Sequence, residues 1–131
     1  MNRLTRATNV FDDRSPIYLQ IADRIVADVL NGVLAADEQI MSTNEYAAFY
    51  RINPATAAKA FQILVDEGVL YKRRGIGMFV APEARSRLQQ AHRKRFFIDV
   101  VDPMLREARA IDIGISDIIR YLENQERKDE S

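Results

Sequence analysis

The chain has 131 residues, room for one domain plus an appendage, and its 47% hydrophobic content is enough to build a core. Formal net charge is zero and evenly spread: nine Lys/Arg face nine Asp/Glu in residues 1–81, and ten face ten in residues 82–131, so a uniformly basic surface for a polyanion is excluded and any such footprint must be local. With no cysteine, disulfides, thiolate zinc sites and cysteine nucleophiles are excluded too. No apolar run approaches the roughly 20 residues of a membrane span, and MNRLTRATNVFDDRS lacks a signal-peptide core, so the chain reads as soluble and cytoplasmic with no membrane partner.

Residues 1–15 are polar and read as a partly ordered arm. From Pro16, Ile17, Ile21, Ile25 and Val29 recur every four residues with Tyr18, Ala22, Val26 and Leu30 beside them, an amphipathic helix that ends near Asn31-Gly32. Gly32 to Ile40 is a connection, with a short extended piece expected at Glu38–Met41. Ser42-Thr43-Asn44-Glu45 has capping-box form and starts a short second helix from about Thr43 to Phe49. After Tyr50-Arg51-Ile52 a third helix begins. Asn53 is its N-cap, Pro54 takes the first helical position, and Gly68 closes it in the left-handed conformation. Ala57, Ala60, Phe61, Leu64 and Val65 make its apolar face, while Thr56 and Lys59 lie on a short-chained, mostly uncharged face. Two helices joined by so short a link form a helix-turn-helix, which could lay the third helix in a major groove.

Val69–Arg73 and Gly77–Val80 alternate well enough for two strands, and Arg74-Gly75-Ile76-Gly77 supplies a tight turn between them. Such a hairpin after a recognition helix is a wing. Its tip carries Lys72, Arg73 and Arg74, three adjacent cations placed where a wing meets phosphates or the minor groove. Beyond Pro82, a polar helical stretch precedes an apolar stripe of Phe96, Phe97, Val100, Val101, Met104, Leu105 and Ala108, where Pro103 predicts a kink or a break with a restart. A turn at Ile111–Ile115 leads to a last helix, with Ser116 as its cap and Ile118, Ile119 and Leu122 on its apolar face. The tail Glu126–Ser131 is charged and expected to fray.

The stretch from Pro16 to Val80 resembles the winged-helix domain of the GntR-type bacterial transcription regulators. The resemblance rests on Pro16-Ile17-Tyr18-Leu19-Gln20-Ile21, Gly32-Val33-Leu34, Ser42 with Glu45 and Ala47, Asn53-Pro54 with Thr56, Ala60-Phe61, Leu64 with Glu67-Gly68, and Arg73–Val80. The implied fold is mainly α with a small β-hairpin: a winged helix-turn-helix domain at 16–81, followed by a short C-terminal helical dimerisation segment at 82–131. The short segment is similar to that of the YtrA-like subgroup. The resemblance implies DNA contacts from Ser42 and Asn44, from Asn53, Pro54, Ala55, Thr56 and Lys59, and from Lys72, Arg73, Arg74, Gly75 and Gly77. It also implies a repressor without catalytic residues, cofactor or metal, acting on a double-stranded operator.

Three departures bear on this expectation. Asp37 stands where the family usually has glycine, a place that Asp tolerates in the left-handed region. Met41 replaces a usual proline. Asn44 replaces a usual arginine, so a base read there would shift from guanine towards adenine, and Ala55 stands where a longer polar residue is common.

One such domain offers few contacts, so an inverted repeat bound by a homodimer is expected. Phe96, Phe97, Val100, Val101, Leu105, Ile118, Ile119 and Leu122 would form its interface; packing of the stripe back onto the winged domain is the competing arrangement. The single histidine, His92, lies in a polar segment and the carboxylates are scattered, which argues against an enzyme. A winged helix serving protein contact, with no specific DNA site, is the alternative function. No sequence feature marks a small-molecule effector site.

Overall fold

The computed structural model describes residues 11–130. The element order is α1 (Ile17–Leu30), β1 (Gln39–Ile40), α2 (Thr43–Tyr50), α3 (Pro54–Asp66), β2 (Leu70–Arg73), β3 (Gly77–Val80), α4 (Ala84–Phe96), α5 (Asp102–Ala110) and α6 (Ile115–Glu130). A single π-helical turn, Phe97–Val101, joins α4 to α5. Two compact units divide the chain, one running to Gln89 and one from Gln90.

In the first unit, the apolar positions at helical spacing are the buried ones. Ile21, Ala22, Ile25 and Val29 of α1 meet Ala57, Ala60, Phe61 and Leu64 of α3, all at 7% exposure or less. Tyr46 and Ala47 of α2 complete the layer, with the Tyr46 ring edge-on to Phe61 at 5.5 Å between centroids. The Ile17 end of the α1 repeat is exposed instead. The core continues past β3: Ala84 is buried in it and Leu88 packs half-buried against it, both from the first turns of α4.

The expected hairpin is one strand larger. Both β1 and β2 pair antiparallel with β3, giving the order β1-β3-β2. The registers set Gln39 opposite Phe79 and Tyr71 opposite Phe79, with Arg73 opposite Gly77 at the wing end. The extended piece expected near Glu38–Met41 is this third strand, and the Val80 amide donates to the Glu38 carbonyl at 3.0 Å to extend the pairing.

Both helix starts take their expected caps. The Glu45 amide donates to the Ser42 hydroxyl at 3.1 Å, and the Ser42 amide donates to the Glu45 carboxylate at 3.1 Å. The Ser42 amide, and after it the Ser42 hydroxyl, hold the Glu45 carboxyl below the usual carboxylate range by hydrogen bonding to it. At α3, the Ala55 amide donates to the Asn53 side-chain oxygen at 2.8 Å, with Pro54 in the first turn. The link between the two helices turns on Arg51, a non-glycine at φ 56°, and on the Ile52 amide donating to the Ala47 carbonyl. Gly68 closes α3 at φ 77°.

Asp37 adopts φ 63°, so the residue standing in the usual glycine place does take the left-handed conformation. Its amide donates to the Val80 carbonyl, and its carboxylate accepts the Tyr71 hydroxyl at 2.8 Å. That hydrogen bond to a carboxylate pushes the Tyr71 phenol above its ordinary value. Residues 1–10 of the expected arm, and Ser131, lie outside the described residues. Of the arm's remainder, Phe11 sets its ring edge-on to Tyr50 at 5.6 Å, and the Gln20 side chain donates to the carbonyls of Asp12 and Ser15.

Of the kink or break expected at Pro103, the break does not occur: Phe96, Val101 and Asp102 all keep right-handed helical dihedrals, with the π-helical turn Phe97–Val101 just ahead. The wide turn ahead of the proline accommodates a residue that can neither donate from its nitrogen nor tolerate the carbonyl one turn back. The second unit departs from expectation at two other points. Ser116 does not cap α6, because the helix already includes Ile115; the Asp117 carboxylate turns back instead to accept the Gly114 amide at 3.3 Å. Finally, α6 runs on to Glu130 rather than fraying from Glu126, with Arg127 and Lys128 in the last turn, where the helix dipole favours cations.

Two consequences are measurable. Phe61→Ala empties a site that is 2% exposed, and chemical denaturation should show a loss of about 3–5 kcal/mol. Burial, reinforced by the neighbouring Tyr50, pushes the Tyr46 phenol up to about 12, partly offset by Arg24. Its raised folded value favours folding fully below the ordinary tyrosine range. That contribution, of order 2–3 kcal/mol, is lost as pH rises from about 10 to 12, and Tyr46→Phe should remove this part of the alkaline melt.

Candidate nucleic-acid interface

The expected contact residues fall in three groups on the first unit. Ser42 and Asn44 lie at the start of α2, Asn44 exposed and Ser42 half-buried. Asn53, Pro54, Ala55 and Lys59 are exposed along the first half of α3, while Thr56 is half-buried. Lys72, Arg73, Arg74 and Gly75 are exposed at the wing, with Gly77 half-buried behind them.

Capping restricts what several of these can offer. The Asn53 carbonyl oxygen is taken by the Ala55 amide, so its NH2 group is what remains to donate outward. The Ser42 hydroxyl accepts from the Glu45 amide and hydrogen-bonds the Glu45 carboxylate, so the capping box occupies it. Ala55, Ala57 and Ala58 present no polar side-chain atom at all, and Ala57 is fully buried. In the first half of α3, polar side-chain atoms are therefore offered by Asn53, Thr56 and Lys59 alone. Asn44, uncommitted on α2, adds an amide.

The wing carries more charge with tighter support. Its tip is the turn Arg73–Ile76, closed by the Ile76 amide donating to the Arg73 carbonyl at 2.9 Å. Gly75, at φ 77°, has the sign that a type II turn requires at its third position. The Arg73 guanidinium lies 5.7 Å over the Phe79 ring, which orients it without neutralising it. Among the described residues, the ion pairs at N–O distances up to 4.0 Å all lie elsewhere, so Lys72, Arg73 and Arg74 keep their full positive charge.

Gly77 makes room for a side chain that supports the turn. Its φ is 148°, and a Cβ built there would lie 2.7 Å from the Gln39 side-chain nitrogen. That amide donates to the Ile76 carbonyl at 3.1 Å, so β1 props the wing turn from behind. Sequence reasoning missed Gln39 as a support of the site, and Tyr18 likewise. Their contacts join residues far apart in the chain, and no local spacing signals them.

Among the described residues no cluster of His, Cys, Asp or Glu could hold a metal, and no helix is long and apolar enough to cross a membrane. In the second unit, the residues expected at a dimer interface are largely uncovered. Phe96, Phe97, Val100, Ile119 and Leu122 are at least half exposed, and Val101, Leu105 and Ile118 are half-buried. The Phe96 and Phe97 rings meet edge-to-face at 5.6 Å. Between α5 and α6 lies an open groove of about 570 Å³, lined by Met104, Ala108, Ile111, Ile113, Ile118 and Leu122 among others. Ala108 is the one buried side chain described in this unit.

Gly77→Ala combines backbone strain with displacement of Gln39. It should lower the melting temperature and broaden the amide resonances of Arg73–Ile76, whereas Gly114→Ala, with no atom nearer than 3.7 Å to the added carbon, should leave the wing unchanged.

Comparison with known proteins agrees with this geometry. Residues 17–80 match the model of the bacterial regulatory proteins of the gntR family. The HTH-type transcriptional repressor YtrA of Bacillus subtilis is 33% identical over 79 residues, covering 59% of this chain and 61% of YtrA. A putative GntR-family transcriptional regulator from Bacteroides thetaiotaomicron superposes with a TM-score of 0.64 at 34% identity, over 86% of this chain and 98% of that one. The DNA-binding domain of AraR in complex with operator ORX1 superposes with a TM-score of 0.51 at 30% identity, over 54% of this chain and 92% of that one. The chain spans less than two thirds of the length of the curated relatives it matches. Over its winged-helix half by sequence, and over most of its length by structure, it is a member of the GntR family of bacterial regulatory proteins.

Proposed function

We propose that the protein is a sequence-specific DNA-binding transcriptional regulator of the cytoplasm, acting as a repressor. One observation carries the reading: three adjacent exposed cations on a braced glycine turn, beside a capped helix with an exposed first half, in a chain of zero net charge. A charge so concentrated suits a polyanion met at one place. In this reading α3 enters the major groove, where Asn53, Thr56 and Lys59 anchor it and Asn44 reads from α2. Lys72, Arg73 and Arg74 hold the backbone or minor groove. The AraR domain bound to operator ORX1 and the repressor YtrA support the direction of this assignment.

Two copies are proposed to act together. The apolar stripe of the second unit is too large to leave in water, and a twin chain is the occupant that also doubles the base contacts. The site would be an inverted repeat with half-site centres about one helical turn apart. Light scattering at micromolar concentration should give a dimer, and Phe97→Asp should give a monomer. A wild-type monomer would refute the pairing.

Selection from a random duplex pool should return a two-fold symmetric sequence. On that duplex Arg73→Ala should weaken binding more than Lys59→Ala. With both protomers of the dimer changed, four cations are lost from the complex, and the Arg73→Ala/Arg74→Ala pair should reduce the slope of log affinity against log salt by about three to four. Affinity that ignores salt would favour a protein-contact role for the same fold.

A further inference from the structure

Lys59 and Tyr18 form the closest cation–ring contact among the described residues. The Lys59 ammonium lies 4.0 Å from the centroid of the Tyr18 ring, against 5.9 Å for Arg24 over Tyr50 and 5.7 Å for Arg73 over Phe79. Since such attraction extends to about 6 Å, the two arginines sit near its edge and Lys59 well inside it. Tyr18 belongs to the first turn of α1 and is half-buried, packed against the core, so its ring is a fixed platform. Lys59 sits between buried Ala57 and buried Ala60 on α3, which leaves its stem nowhere to go but outward along the helix surface.

We infer that Tyr18 is a positioning residue for DNA binding: it holds the Lys59 ammonium, still fully charged, ready to donate to a phosphate. This rests on the proposed DNA-binding function. A carboxylate in the same place would fix the lysine equally well but cancel its charge. An aromatic face attracts the ammonium through its quadrupole and leaves the outward N–H groups free. A lysine free to sample its rotamers loses that freedom on binding; one already parked on a ring loses less, and the difference adds to affinity. The device matters here because α3 has alanine at positions 55, 57 and 58 and few other groups to contribute.

The inference is tested on the free protein and on the duplex recovered from a random pool. In the free protein, the Lys59 Hε resonance should lie upfield of its unfolded-chain position in the wild type and in Tyr18→Phe, and lose that shift in Tyr18→Leu. Tyr18→Leu should weaken binding about two- to fivefold, while Tyr18→Phe keeps the ring and should restore wild-type affinity. The salt slope should stay unchanged in Tyr18→Leu, because the charge remains, and fall by about two in Lys59→Met, which removes one ammonium from each protomer. In the Lys59→Met background, Tyr18→Leu should cost nothing further. Additive losses in the double variant would overturn the inference, and an unshifted Lys59 resonance in the wild type would do so even if Tyr18→Leu does not fold. A wild-type protein that binds no duplex would overturn the DNA-binding function itself, whatever the Lys59 resonance shows.

Discussion

The contact between α1 and α3 is the constraint on which the winged unit depends. Ala57 and Ala60 have no exposed surface, and their short side chains let Ile21, Ile25 and Val29 come close enough to bury Phe61 and Leu64 completely. Close packing of this kind sets the helix separation, and the separation sets where the first half of α3 emerges. It also places the first turn of α1 beside the exposed edge of α3, which is how Tyr18 reaches Lys59. A different pair, Ala55 and Ala58, lies exposed on the outer side of the same helix and leaves it with few polar atoms there.

The wing shows a different division of labour. Its cations lie on the turn, but what fixes the turn comes from the edge strand behind it. Gln39 reaches under Ile76, and Gly77 is empty of side chain so that it can. On the opposite edge, Tyr71 and Asp37 tie β2 to the loop leading into β1. A glycine-to-aspartate exchange at position 37 could have cost stability through its positive φ. The carboxylate offsets this by gaining a phenol partner within the same sheet.

Much of the architecture was legible because its signals are local. Capping residues, a proline at a helix start and four-residue spacing each act over one or two turns. Ser42 with Glu45 and Asn53 with Pro54 accordingly do what the sequence indicates. The misreadings share one physical cause, namely that alternatives of similar local energy are decided by a neighbour. The start of α6 settles ahead of Ser116, at Ile115, with the Asp117 carboxylate reaching back to the Gly114 amide, and at Pro103 a π-helical turn decides between the two arrangements the pattern left open. The candidate interface was legible in its charges and hidden in its supports. A run of three cations can be seen in a string of letters; an amide or a ring arriving from a distant strand or helix cannot.

The uncovered stripe of the second unit bears on gene dosage. If a twin chain is what covers Phe96, Phe97 and Val100, the DNA-binding species forms in proportion to the square of total protein while monomer dominates. Halving expression would then cut operator occupancy fourfold in the dilute regime rather than twofold. Under that pairing, the protein would respond to its own abundance more steeply than one that folds into a closed monomer.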